Sequence, residues 1–65
     1  MKRISKETAV KEYGIVLNHY PLSFYLTKDG FVIDSDGDIR YSPIQINTEE
    51  ELQKILGNIE KEKEN

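Results

Sequence analysis

The run Asp34-Ser35-Asp36-Gly37-Asp38 is the densest set of carboxylates in this 65-residue chain apart from the glutamates near its end. Alternate aspartates are the spacing from which oxygen-ligated cation sites are built. In the calcium loop that uses it, ligands fall at positions 1, 3, 5 and 12, with a glycine at 6. Counted from Asp34, position 6 is Ile39 and position 12 is Gln45, so both the sharp turn and the closing acid are absent. The run reads instead as a hairpin turn in which Asp and Gly serve backbone geometry. One cation-binding alternative follows from that turn. If Asp34 faces Asp38 across the strands, the two like charges repel, and a bound cation would relieve them.

His19 is the only histidine. A general base needs a nucleophile or acid arranged beside it, and Asn18 and Tyr20 supply neither, so His19 reads as a loop residue. The chain has no glycine-rich phosphate loop, no Ser-His-Asp set and no HExxH. No catalytic residue, cofactor site or metal ligand is assigned, and the expectation is a protein that is not an enzyme.

The four tyrosines carry more. Tyr13 and Tyr41 suit a core. Tyr25 falls with Thr27, Val32 and Arg40 on one face of the strands laid out below. That amphipathic set of Tyr, Arg and an aliphatic residue suits contact with another protein, against the plainer reading that Tyr and Thr stand there for strand propensity alone. Tyr25, Thr27, Val32 and Arg40 are therefore the candidate partner-binding residues.

Three kinds of element must position these groups. At the end of the chain, Thr48 and Glu51 have capping-box spacing. Glu49, Glu50 and Glu51 sit where a helix dipole favours negative charge, and Leu52, Ile55, Leu56 and Ile59 form one apolar stripe. Gly57 weakens that helix, and its charged end, residues 60–65, is expected to fray. In the middle, residues 22–27 alternate with period two, and Asp29-Gly30 signals a two-residue hairpin turn. That register sets Leu26 opposite Ile33 and Thr27 opposite Val32, with Phe24, Leu26, Phe31 and Ile33 on one face. For the next hairpin a three-residue loop, Ser35-Asp36-Gly37, keeps the faces consistent by setting Ile33 against Ile39 and Phe31 against Tyr41. Near the start, Ser5 can cap a short helix with Ala9, Val10 and Tyr13 inward and Gly14 ending it. Residues 15–17 can add a short extra strand, or the helix can run on to His19. A helix-turn-helix over residues 6–26 fails on Pro21 and on the lack of any base between Lys11 and Lys28.

The expected fold is one α+β domain, 1–65: a three-stranded antiparallel meander with an N-terminal and a C-terminal helix on one face. Cysteine is absent, so no disulfide or thiolate site exists, as suits a reducing cytoplasm. No apolar segment approaches a signal sequence or a membrane span. Residues 1–12 carry a net +2, residues 13–46 a net −2 and residues 47–65 a net −3. This acidic balance disfavours nucleic acid as a general partner. The abundance of Ile, Lys, Glu, Asn and Tyr beside a single Ala is what AT-rich genomes produce, pointing to a low-GC bacterium, its phages or its plasmids. The function expected is a small acidic interaction module that binds and modulates another protein or associates with itself. The alternative is a DNA-binding accessory factor using Lys2, Arg3, Lys6 and Lys11.

Overall fold

The computed structural model describes residues 1–17 and 23–64. His19, Tyr20 and Pro21 lie outside them, as do residues 18 and 19 of the strand-or-helix question. The elements are β1 (Lys2–Ile4), α1 (Lys6–Tyr13), β2 (Phe24–Leu26), β3 (Val32–Asp34), β4 (Ile39–Tyr41) and α2 (Glu49–Lys63). The strands form one antiparallel sheet in the order β1-β2-β3-β4. The α+β class and the meander are as expected. The extra strand is β1 at Lys2–Ile4, which pairs with β2, and not residues 15–17, which are irregular.

Local chemistry sets the helix ends. Ser5 caps α1 by accepting the Thr8 N–H at 3.0 Å, and Gly14 closes it in the left-handed region at φ 66°. Thr48 caps α2 through the Glu51 N–H at 3.1 Å, while the Glu51 carboxylate accepts from the Asn47 N–H. Helix α2 runs past the expected fraying point at Glu60 to Lys63; Asn65 lies outside the described residues.

The two hairpins are built alike, and this corrects the first register. Thr27 N–H donates to the Phe31 carbonyl at 2.9 Å and Gly30 N–H to the Thr27 carbonyl at 3.1 Å, so the loop is Lys28-Asp29-Gly30. The second loop, Ser35-Asp36-Gly37, repeats the pattern between Asp34 and Asp38. Each requires positive φ only at its glycine, 95° at Gly30 and 89° at Gly37. A two-residue loop would force Asp29 into that region as well. Thr27 adds a bond of its own, its hydroxyl accepting the Phe31 N–H at 3.0 Å. The partners are therefore Leu26↔Val32 and Tyr25↔Ile33. Ile33 meets Ile39 as expected, but a bulge at Arg40 sets Tyr41 opposite Val32 and not Phe31.

A one-residue shift inverts a strand's faces, and the layers change with it. Phe24 and Val32 pack with Ala9 of α1 and with Ile15, joined by Ile4, Tyr13, Leu26 and Tyr41; the Tyr13 and Tyr41 rings meet edge to face at 5.0 Å. Phe31 and Ile33 pack on the other side with Ile55 and Ile59 of α2, joined by Tyr25, Ile39 and Ile46. Helices α1 and α2 thus cover opposite faces of the sheet, not one. With both faces filled, all four residues from Phe31 to Asp34 are buried. Val10 turns outward from α1, leaving Ala9 and Tyr13 inward.

Candidate functional site

The four residues expected to share a partner face do not share one. Val32 is fully buried under α1, at 0% exposure. Thr27 is buried at the hairpin, where its hydroxyl is already engaged. Tyr25 lies half-buried on the α2 side. Arg40, in the bulge, turns to the α1 side. The register shift separates Tyr25 from Val32, and the second helix covers the face that was to stay open.

Arg40 is a fastener. Its Nη1 donates to Asp34 Oδ2 at 3.1 Å, its Nη2 donates to the Val16 carbonyl at 2.8 Å, and its guanidinium carbon sits 5.6 Å from the centre of the Phe24 ring. Asp34 Oδ1 accepts the N–H groups of Asp36 and Asp38 at 2.9 and 3.0 Å. This buried carboxylate is therefore satisfied by the turn it initiates and neutralised by arginine. Asp34 does oppose Asp38, but its charge faces inward. Among the described residues, no three His, Cys, Asp or Glu side chains converge where a metal could be held.

The basic start is scattered. Lys2 and Arg3 point to opposite faces of β1 by strand alternation, and Lys11 is held by Glu7 at 2.9 Å. Near Lys2, Glu62 accepts the Lys28 N–H at 3.1 Å on Oε1 and pairs with the Met1 ammonium 3.2 Å from Oε2, outside hydrogen-bond geometry. Its side chain is only 10% exposed. Burial pushes its pKa up, but the Lys28 N–H, the Met1 ammonium and the Lys28 charge outweigh this and hold it below the ordinary 4.5.

The opposite margin is open. Helix α2 crosses from β4, where Leu52 and Leu56 lie against Ile39, Gly37 and Asp38, to the β1–β2 side, where Glu62 meets Met1 and Lys28. Ile55 and Ile59 are buried, whereas Leu52 and Leu56, from the same stripe, are only half-buried. Between these leucines and β4 runs an open groove of ≈ 400 Å³. Among the described residues β4 pairs only with β3, and none of them adds a strand along its outer edge. Asp38 lines the groove, and Glu49 and Glu60 fall on the helix face of Leu56, seven residues before it and four after. Lys63, paired with Glu60 at 3.6 Å, is the one cation at this rim among the described residues.

The sequence shows this stripe as four apolar residues at i, i+3, i+4 and i+7, the ordinary width of a core-facing helix. Nothing in that spacing marks Leu52 and Leu56 as the two that stay partly exposed.

Neither a family model, nor a curated protein, nor a solved structure matches this chain. Among the described residues no helix is long and apolar enough to cross a membrane.

Proposed function

We propose that this chain is a non-enzymatic interaction module that binds another protein at the margin between β4 and α2. The observation that carries the reading is the unfinished stripe of α2: Leu52 and Leu56 stay partly exposed beside Ile39, at an edge of β4 that no other strand covers among the described residues. Apolar side chains beside unpaired strand edges are what proteins ordinarily cover. A domain this small also buries only about 60% of its unfolded surface on its own, so covering that margin adds proportionally more to its stability than it would in a large one.

The test is affinity capture from native-host lysate with two variants, each first shown to be folded by circular dichroism. Leu56→Glu puts a charge in the groove. Val16→Glu alters the most exposed large apolar residue among those described, outside α2 and at 75% exposure. The expected result is that Leu56→Glu loses the captured protein while Val16→Glu keeps it. Retention by folded Leu56→Glu would overturn the assignment.

A further inference from the structure

We infer that the margin takes an extended segment of another protein, with alternating apolar and basic side chains, added to the outer edge of β4 as a fifth strand. This rests on the reading of that margin as the binding site, and goes beyond it in naming the occupant.

The first argument is dimensional. Helix α2 has 15 residues, about 22 Å at 1.5 Å per residue. A four-stranded sheet spans about 14 Å between its outer strand axes, at ~4.8 Å per step. The helix crosses from β4 to the β1–β2 side, so it is longer than the sheet is wide by up to ~8 Å. One more strand needs ~4.8 Å and fits beneath the overhang. It would bring one face of its side chains against Leu52 and Leu56 and leave the other toward solvent, which calls for a period-two apolar pattern.

The second argument concerns the two edges. Strand β1 carries Lys2 and Arg3 on its short span, both exposed, and charged side chains on an edge discourage further pairing. Strand β4 carries Ile39, Arg40 and Tyr41, and its one charged residue is turned inward to Asp34. Of the two, β4 is the edge left receptive. Its bulge shortens the stretch that can pair, so the two leucines supply much of the recognition, and main-chain bonds along Ile39–Tyr41 fix the direction. That is the division of labour in strand-addition complexes.

The third argument is charge. Asp38 lines the groove and Glu49 and Glu60 flank Leu56 on the helix, against Lys63, which is already paired with Glu60. An incoming strand whose solvent-side residues are Lys or Arg meets complementary charge. A second copy of this chain, paired β4 to β4, would bring Asp38 and the helix acids against themselves, so the occupant is a different chain.

The experiment uses the full chain, ¹⁵N-labelled, and three capped heptapeptides. The first alternates Lys with Val and Ile. The second replaces each Lys by Glu, and the third is the first with alternate backbone nitrogens methylated so that it cannot pair as a strand. With the first peptide in excess, the proposal expects slowed amide exchange, tenfold or more, along Ile39–Tyr41. Chemical-shift changes should centre on Leu52 and Leu56, and both effects should weaken as salt is raised. The second and third peptides should leave these amides unchanged. Equal protection by the Glu peptide, shifts without β4 protection, protection along β1 in place of β4, or a dimeric mass for the chain alone in light scattering would each overturn it. Should lysate capture depend on Leu56 while the Lys peptide leaves β4 unprotected, the binding-site reading stands and the strand-addition inference fails.

Discussion

Replacing Arg40 by Met tests the view that the Asp34–Arg40 pair fastens the sheet to the segment after α1. Methionine keeps an unbranched apolar stem beside Phe24 and removes the guanidinium. What remains is a carboxylate 2% exposed, with two N–H donors and no counter-charge. Breaking a buried pair from one side costs about 3–5 kcal/mol. Arg40 is itself 19% exposed, so water can reach the vacated side and the low end, about 3 kcal/mol, applies. A 65-residue domain holds about 3–10 kcal/mol in all, at 0.05–0.15 kcal/mol per residue, so the loss is a large share of the whole. At about 4–8 °C per kcal/mol, Tm should fall by roughly 12–24 °C. Asp34→Asn should cost less, about 1–2 kcal/mol, because its side-chain oxygen can still accept from Asp36 and Asp38. If the two side chains act as a pair, the double variant should lose at least about 1 kcal/mol less than the two single losses together. Thermal melting gives the Tm shift and urea unfolding the free-energy losses of all three variants, both followed by circular dichroism. A fall below about 4 °C for Arg40→Met, or strict additivity in the double variant, would refute the reasoning.

Ile55→Ala, at the centre of the α2 layer, should cost about 2–5 kcal/mol, and a melting point within a degree or two of the parent would show that α2 is not packed on the sheet. Gly57→Ala should do the opposite, adding about 1 kcal/mol, because the glycine is an exposed interior helical position and an added Cβ would meet no atom within 4 Å; thermal melting reads both. Gly37→Val should lose about 1–3 kcal/mol from backbone strain at φ 89° rather than from crowding, since the nearest atom to an added Cβ is the end of Lys63 at 3.9 Å; chemical denaturation should show the loss without a change in m-value. Glu62 has its folded pKa held below 4.5, so its contribution is complete above that value and is lost as pH falls through the lower folded value; Glu62→Gln should flatten the acid limb of a stability-against-pH curve below about 4.5, and an unchanged limb would refute the assignment.

Much of the fold was legible because it is written in local signals. The Ser5 and Thr48 caps, the Gly14 stop, the glycine of the second hairpin loop and the α2 stripe all rest on contacts within a few residues. What was not legible depended on one backbone choice. Asp29-Gly30 fits either a two-residue loop or the end of a three-residue loop, and the outcome turns on which residues take positive φ and on the Thr27 hydroxyl. That slip of one residue moved Val32 from an open face into the core and divided Tyr25 from it. A countervailing signal did exist: Phe31-Val32-Ile33 is a continuous apolar run, which marks a strand covered on both faces. Strand β1 was harder to see, since Ile4 is the only apolar residue of its span. It forms because β2 offers an edge and Ile4 reaches the core beneath α1.

The two-sided burial also decides where a partner can act. A three-stranded sheet covered on one side would leave a broad face for recognition, and the set Tyr25, Thr27, Val32 and Arg40 depended on that face existing. Once α1 and α2 occupy both faces, the surfaces left for contact with another protein are the outer helix surfaces, the sheet edges and exposed loop residues such as Val16 and Ile44. The outer surface of α2 is dominated by charge. The outer side of α1 presents Val10 at 42% exposure among Lys6, Glu7, Lys11 and Glu12, a single apolar side chain in a charged setting, and solitary ones are ordinary. Of the edges, β1 carries two cations. Among the described residues the β4 margin alone combines an edge without an outward charge, half-buried leucines from the layer above and a rim of one dominant sign. Each part has its own local cause: the bulge that turns Arg40 inward, the helix longer than the sheet is wide, and turn and helix acids whose side chains stand exposed. Their coincidence at one side of the molecule is why recognition is assigned to β4 and α2 rather than to any face of the sheet.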